Sequence, residues 1–535
     1  MVSLPVSSRV GSLRAKTDYP TARSAPLVPY SEAVGKEKKR LLVLFGNQLF
    51  GNEHIARAES GATFMAESEA MCRGYAAHRH KIVLILSAMR SKADALRDAG
   101  HSVHYTELGH GSAASFAGLL DEHLSRSRYT ELAHFETESP RMDRLLEDAC
   151  ANHDLERVSL ESPMFVTPRE EFQAYRGRYK RLFMADFYKW QRRRMGVLLD
   201  EDGQPKGGQW SFDEDNRKKL PKNLEPPKVP KLAWTSHTKA LVELVDEQFP
   251  EHPGKAESFW LPTTEEQAKQ ALDAFLEERF EFFGDYEDAL SQEYGTIFHS
   301  VLSSTLNCGL LTPAHVLERA LNFAEDNDVR INSVEGFVRQ IIGWREFIRG
   351  IWNSLPASHW DKNFWGHQRK LTKHWYEGTT KIPPLDDAIQ RAQSTAYNHH
   401  IERLMVLGNM MLLCRIDPAD AYAWFMEMYA DSADWVMAPN VYGMALFSEG
   451  GEFTTKPYIC GSNYLRKMSN YGKGPWCDVV DGLYWRFIDD HRDFFSQNPR
   501  SKMMLGTLDR MSDERRKRIY AAAAEFIERV TTCVD

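Results

Sequence analysis

Leu41-Leu42-Val43-Leu44-Phe45, closed by Gly46, is an unbroken apolar run ending at a residue that turns easily. That is the pattern of a short strand buried on both faces. Working outward, Lys81 to Leu86 (Lys-Ile-Val-Leu-Ile-Leu) repeats it, and Ser87 is placed to cap a helix running to Gly100. His101–Glu107, Tyr129–Phe135 and Leu155–Leu160 read as three further strands, with helices over Ser115–Ser125 and Arg141–Asn152 between them. Strands alternating with helices predict an α/β fold with a doubly wound parallel sheet. Ligands of such sheets sit beyond the C-terminal strand ends, which is where Gly46-Asn47-Gln48-Leu49 falls. No GxGxxG follows a strand, so a Rossmann dinucleotide site is not indicated.

The chain has 535 residues, more than one core holds, so two or more domains are expected. No apolar run approaches the ~20 residues that cross a bilayer, which argues against a membrane partner. Net charge is −8, so any nucleic-acid site must be a local basic patch. Seven cysteines without a CxxC suit free thiols in a reducing compartment, with no zinc site and no metal ligands assigned.

Residues 1–40 are rich in Ser, Pro, Arg and Lys, with Asp18, Glu32 and Glu37 the only acids. They read as a disordered extension or as an organellar transit peptide. The first leaves a cytoplasmic protein and the second an organellar one. Residues 41–165 form the α/β unit, 166–261 a basic linker, and 262–535 a helical unit; a monomer is expected. Within the linker, Tyr175-Arg176-Gly177-Arg178-Tyr179-Lys180-Arg181 and Tyr188-Lys189-Trp190-Gln191-Arg192-Arg193-Arg194 interleave cations with aromatics. Such a run is either a solvated face or a phosphate-contacting one. In the helical unit Asn332 is a candidate N-cap with Glu335 three residues on. Phe337, Ile341, Trp344, Ile348 and Ile351 follow as an apolar stripe.

Ala396-Tyr397-Asn398-His399-His400-Ile401-Glu402-Arg403 also reads as helix, so one histidine of the pair can face a given pocket. Arg403 shares the face of His400. An imidazole titrating near neutral pH beside a fixed cation is a suitable proton donor.

Several segments, taken in order, resemble the photolyase/cryptochrome superfamily, and within it the iron–sulfur bacterial cryptochromes and (6-4) photolyases. They are Gly46–Leu49, Ser87-Ala88-Met89-Arg90, Gly207-Gly208-Gln209-Trp210-Ser211-Phe212-Asp213, His299–Ser303 with Asn307–Leu311, Gly343-Trp344-Arg345-Glu346-Phe347, His399–Asn409, and Thr455–Tyr458 with Ser462–Tyr464. The match runs from about residue 41 to about residue 525. It implies an N-terminal antenna domain followed by a larger helical domain that holds FAD and repairs ultraviolet-damaged DNA with light. By resemblance, His299, Ser300, Leu302, Ser303 and Asn307 lie at the flavin phosphates. Gln340, Trp344, Arg345 and Asn409 line the flavin pocket, and Arg403 pairs with Asp431 beside the isoalloxazine. His400 protonates a flipped (6-4) lesion, His399 orients it, and Tyr458, Tyr464 and Met444 wall the lesion pocket. Arg178, Arg192, Arg193 and Lys456 would contact DNA. Gly46, Asn47, Gln48, Leu49 and Glu67 would hold a 6,7-dimethyl-8-ribityllumazine antenna.

The sequence departs from that pattern at three places. Cluster-ligand positions fall at Ile382-Pro383-Pro384 and Tyr471-Gly472-Lys473-Gly474-Pro475, leaving only Cys477 nearby, so no iron–sulfur cluster is expected. Met437 stands opposite flavin N5, where a polar residue is usual, and a thioether takes no proton. Trp424 matches the inner electron-transfer residue, but Phe425 follows it; Trp375 and Tyr376 are the outer candidates. The leading reading is therefore a (6-4) photolyase. A cryptochrome photoreceptor with little or no repair and a DNA-binding scaffold without flavin are the alternatives.

Overall fold

The computed structural model describes residues 39–109, 115–497 and 499–533. The extension expected over residues 1–40 therefore lies outside the described residues up to Lys38. Five strands form a parallel sheet: β1 (Arg40–Val43), β2 (Ala62–Ala66), β3 (Ser102–Thr106), β4 (Glu131–Phe135) and β5 (Glu156–Leu160), ordered β3-β2-β1-β4-β5. Central β1 pairs Leu41 with Ala62 on one side and with Leu132 on the other. Its alternate side chains feed two cores: Leu42 and Leu44 enter the large one, while Leu41, Val43 and Phe45 pack with Phe64, Phe116 and Leu146. Burial on both faces is what the unbroken apolar run implied.

Lys81–Leu86 is not a strand. It lies in α1 (Arg79–Asp98), a twenty-residue helix capped by His78, whose side chain accepts from the His80 amide; Ser87 is buried mid-helix and caps nothing. A short apolar run does not by itself distinguish a buried strand from a buried helix, and α1 is buried on most of its circumference. The second strand is β2 instead, Ala62-Thr63-Phe64-Met65-Ala66, a run without the leucine-rich pattern of β1. Helices α2 (Phe116–Ser125) and α3 (Pro140–Asn152) complete the doubly wound unit, each capped by a serine that accepts an amide hydrogen bond, Ser115 and Ser139.

Residues 166–261 carry α4 (Arg169–Arg176), α5 (Met184–Met195) and α6 (Ser236–Gln248), the last packed on α1. The rest is mainly helical, with a two-stranded antiparallel ribbon of Lys370–Leu371 and Thr531–Thr532. One close approach between the sheet and helical regions is at a loop that needs glycine. A Cβ on Gly46 would lie 2.6 Å from Ile85, and one on Gly309, at φ +85°, 2.8 Å from Phe50; the Leu49 amide donates to Cys308 O at 3.0 Å. Both positions need glycine for the close approach. Cys308 ends α7 (Ser303–Cys308).

Helices α8 (Ile331–Val338) and α9 (Arg345–Ser354) are joined through a π-helical turn, Arg339–Trp344. The Asn332/Glu335 capping box does not form. Arg330 precedes the helix, and Asn332 donates to Asn216 Oδ1 and Asp285 Oδ1 instead; Glu335 accepts from the Phe212 amide and Arg339. α10 (Pro383–Thr395) and α11 (Pro418–Met428) precede a C-terminal pair, α12 (Trp476–Asp490) and α13 (Asp513–Val530). Among the described residues no helix is long and apolar enough to cross a membrane.

The α12–α13 pair depends on Gly482, where a Cβ would sit 1.9 Å from Ile519 O and 3.0 Å from the Ala523 Cβ. Gly482→Ala must push the two backbones apart. It is expected to cost at least 1–3 kcal/mol, the usual range for overpacking, read as a lower melting temperature.

Candidate functional site

A cavity of about 940 Å³ opens inside the helical region, near the upper end of the range for ligand sites. Its walls come from the start of α5 (Met184, Tyr188, Lys189), residues 210–217, 283–288 and 299–307, the α8–α9 unit, residues 397–405, Phe425, residues 431–445, and residues 456–468. Three π-helical turns, Arg339–Trp344, Glu402–Gly408 and Pro439–Ala445, all contribute to it. The extra residue in a π turn breaks the 3.6-residue stripe, so Gln340 and Arg345 reach the cavity together with Phe337, Ile341, Trp344 and Ile348.

The Arg403–Asp431 pair forms as the sequence indicated. Both guanidinium nitrogens donate to the two carboxylate oxygens at 3.0 Å; Nε donates to Asn398 O at 2.8 Å, and the group lies 3.9 Å over the Tyr429 ring. Burial alone would raise the Asp431 carboxyl, but the Arg403 charge, with hydrogen bonds from Arg403 and Ser303, holds it below its usual range. Asn307 donates to Asp431 O at 2.8 Å and accepts from Arg345 at 2.6 Å. Arg345 packs 4.8 Å over Trp435, and burial pushes it down to about 10.

His399 and His400 both line the cavity, against the expectation that only one would. The reason is local: His399 precedes the helix, which starts at His400, and its carbonyl accepts from the Arg403 amide. His399 is 2% exposed and stacks on His299, with ring centres 4.5 Å apart and planes 9° apart. Both its ring nitrogens, and Nε2 of His299, are buried without a partner. Burial, then Arg391 and His400, depress His399 to about 3. His400 is open to the cavity, yet the surrounding protein and Arg403 push it down to about 4, so it is neutral rather than titrating near pH 7. The His299–His399 stack was invisible in sequence because a hundred residues separate its members.

Also unforeseen is an acidic wall: Glu287, pushed up to about 7 by burial against the pull of Arg339, and Asp288, pushed up to about 6 by burial and Asp213. Glu287 accepts from Gln340 at 2.5 Å and from Asn216 at 3.0 Å. Asp213 stood in a quoted motif, but nothing in the sequence linked it to residues 287 and 288.

Ser300, Leu302, Ser303, Met437, Met444, Lys456, Tyr458 and Tyr464 all face the cavity. Asn409 does not. Its fully buried amide exchanges hydrogen bonds with the Cys460 backbone, fixing the wall from behind. Arg192 is no surface cation either: it is fully buried, donating to Val197 O, Leu198 O and Trp210 O. Arg178 and Arg193 are exposed, the latter 4.7 Å over Trp210. Phe425 lines the cavity with Trp424 behind it at 5.3 Å; the Trp424 indole donates to Trp375 O and that of Trp375 to Val530 O, while Tyr376 donates to Glu427. On the sheet side Asn47 is exposed, and Gln48 donates to Phe135 O and Glu136 O with its own Oε1 unpartnered. Glu67 is saturated by Arg90, Tyr105 and the Leu108 amide, so it stiffens this region rather than offering a free acceptor.

The profile of the deoxyribodipyrimidine photo-lyase-related protein family matches residues 42–261. The chain is 34% identical over 469 residues to a (6-4) photolyase of Agrobacterium fabrum, covering 85% of this chain and 91% of that one. Among solved structures, a bacterial class III photolyase from Agrobacterium tumefaciens superposes with a TM-score of 0.56 at 18% identity, covering 93% of this chain and 100% of that one. A Synechocystis sp. PCC6803 cryptochrome gives 0.56 at 14% identity, covering 81% and 89%.

Two outcomes follow from the electrostatics. Asp431→Asn leaves Arg403 buried with its charge uncompensated, a loss on the order of 3–5 kcal/mol, visible in chemical denaturation. The second concerns pH. An imidazole in the unfolded chain titrates near 6.5, whereas His399 titrates at about 3. Between those values the unfolded chain binds a proton that the folded ring does not, so stability falls as pH drops through that window. His399 alone accounts for about 2 kcal/mol at pH 5. Melting of ligand-free protein from pH 7 to 5 should fall, and less steeply in His399→Asn.

Proposed function

This chain belongs to the photolyase/cryptochrome superfamily, and on that premise we propose that it is a light-driven repair enzyme for (6-4) photoproducts in ultraviolet-damaged DNA, with FAD in the helical cavity. One observation carries the reading: an imidazole (His400), aromatic and thioether walls (Tyr458, Tyr464, Met444) and a buried Arg–Asp pair face a single cavity. The cavity fits a large anionic cofactor. It is roomy, buried His299 and His399 nitrogens stand without partners, and the Arg403 and Arg345 cations are already in place.

Ser300, Ser303 and Asn307 would hold the cofactor's phosphates, since hydroxyls and backbone amides at the start of α7 suit anions. Gln340, Trp344, Arg345, Arg403 and Asp431 would hold its remaining parts. When bound, FAD supplies the light-driven electron. The residues of this chain bind, orient and move a proton. Arg403, locked by Asp431 and Asn398, is the fixed cation beside His400. His400 is neutral in the protein alone; negative charge on a substrate next to it would raise its pKa, so the ring takes up a proton from solvent and holds it at the nitrogen facing the substrate, from which it is donated. Tyr458 and Tyr464 provide flat faces for a flipped pyrimidine pair.

The same reading gives Asn47 and the free Gln48 Oε1 to a ribityllumazine antenna, and leaves out an iron–sulfur cluster. Where the cluster would be, Tyr471 donates to Asp387 at 2.7 Å and Pro383-Pro384 open α10. A cryptochrome reading is favoured by one feature: Met437 and Phe425, buried on the cavity wall, neither exchange a proton nor oxidise readily.

The test is illumination of reduced protein with an oligonucleotide carrying one (6-4) photoproduct, followed by chromatography. Wild type should restore the pyrimidines. His400→Ala should slow repair roughly 100-fold or more, the lower end for a lost general acid, while flavin photoreduction continues. Persistence of the lesion with wild-type protein, despite photoreduction, would select the photoreceptor reading.

A further inference from the structure

Large apolar side chains are exposed at few places among the described residues: Met71, Tyr75, Tyr179, Phe183, Phe364 and Met503. Phe183 is the one whose immediate chain neighbour lines the cavity. It is 38% exposed and immediately precedes α5, whose first residues Met184, Ala185, Tyr188 and Lys189 line the cavity. Two residues earlier, the Arg181 guanidinium lies 5.5 Å from the centre of the Phe183 ring and donates at 2.7 Å to both Gly451 O and Thr454 O. The 451–454 turn leads directly to Lys456, Pro457 and Tyr458, also on the cavity wall. Arg181 therefore joins two chain segments that both lead into cavity-lining residues, and its guanidinium lies beside the Phe183 ring.

The surroundings are cationic. Residues 175–194 hold eight Arg or Lys against one acid, Asp186. Arg178, Lys180, Arg193 and Lys456 are exposed, and among the described residues none has a carboxylate within ion-pair distance. On a chain of net charge −8, a braced aromatic ring amid unneutralised cations fits a polyanion with stacked planar faces, and fits an apolar protein partner poorly.

We propose that Phe183 is a duplex wedge. The inference rests on the reading that the cavity takes a lesion flipped out of double-stranded DNA. When the damaged dinucleotide leaves the helix, it exposes the faces of the bases it was stacked on, and an apolar side chain that enters the gap recovers part of the lost stacking. Phe183 fills that gap, while Arg178, Lys180, Arg193 and Lys456 take the flanking phosphates. Arg181, anchored through one guanidinium nitrogen to Gly451 O and Thr454 O, positions the ring. The step is non-covalent: no bond forms or breaks.

The experiment uses flavin-loaded protein and three probes: a duplex with one (6-4) photoproduct, the same strand alone, and the intact duplex. In the damaged duplex, 2-aminopurine beside the lesion reports unstacking. Phe183→Ala should weaken binding of the damaged duplex roughly tenfold, the scale of one lost stacking contact. It should abolish most of the 2-aminopurine signal and leave binding of the damaged single strand, flavin absorbance and photoreduction unchanged. Phe183→Trp should restore duplex binding. If wild type prefers damaged duplex and Phe183→Ala matches it, the wedge is overturned while the repair reading stands. Equal losses on duplex and single strand overturn it too, because a single strand offers no gap. If wild type shows no preference for damaged duplex, the repair reading itself fails and the wedge with it.

Discussion

A buried guanidinium must have its charge and its donors answered by the protein, and the architecture around the cavity follows from how Arg403 meets that need with Asp431. Its fork on Asp431 ties the helix that begins at His400 to the segment following α11. Asn307 of α7 then donates to the Asp431 backbone and accepts a hydrogen bond from Arg345 in α9. Ser432, next to Asp431, accepts from Lys81 of α1 at 2.7 Å, which extends the network back to the sheet unit. Elements far apart in sequence thus converge on one ion pair. Buried pairs contribute little net stability compared with an apolar replacement. What this one provides is position: it holds open walls that hydrophobic packing alone would close.

The π-helical turns solve a related problem. An α-helix presents one stripe, and a stripe that is apolar enough to pack is too apolar to hold a polar ligand. Inserting a wide turn re-aims the residues beyond it. In the unit spanning α8 and α9 this brings Gln340 and Arg345 to the same cavity as Trp344 and Ile348. Arg339, also on the cavity wall, pairs with Glu335, while Glu346 accepts from the Thr167 amide and Arg349 pairs with Glu138, so the charges off the apolar stripe tie the helix to its neighbours.

That contrast explains what could be read from the sequence and what could not. The central strand was legible because Leu41–Phe45 is apolar at both parities, a pattern that geometry ties to burial on two faces. Lys81–Leu86 shows the same local pattern and is helical, since its outcome was decided by the residues up to Asp98 and by packing against α6. The Arg403–Asp431 pair was legible through the family pattern, and chemistry alone made it plausible. The stacked His299–His399 rings and the acidic residues 287 and 288 were not, because each acquires its role only from a neighbour supplied by the fold.

The consecutive arginines 192–194 show why a basic run overstates its capacity for phosphate. Successive helical residues point about 100° apart, so the three side chains meet three environments. Arg192 is bolted to three carbonyls inside the protein, the half-buried Arg194 braces Val166 O and Glu171, and the exposed Arg193 lies 4.7 Å over Trp210. Two of the three charges are consumed in making the segment rigid. A net acidic protein that must approach a polyanion gains from this arrangement: the few cations left free are held in place by those that are not, so less side-chain and loop entropy is lost when phosphates arrive.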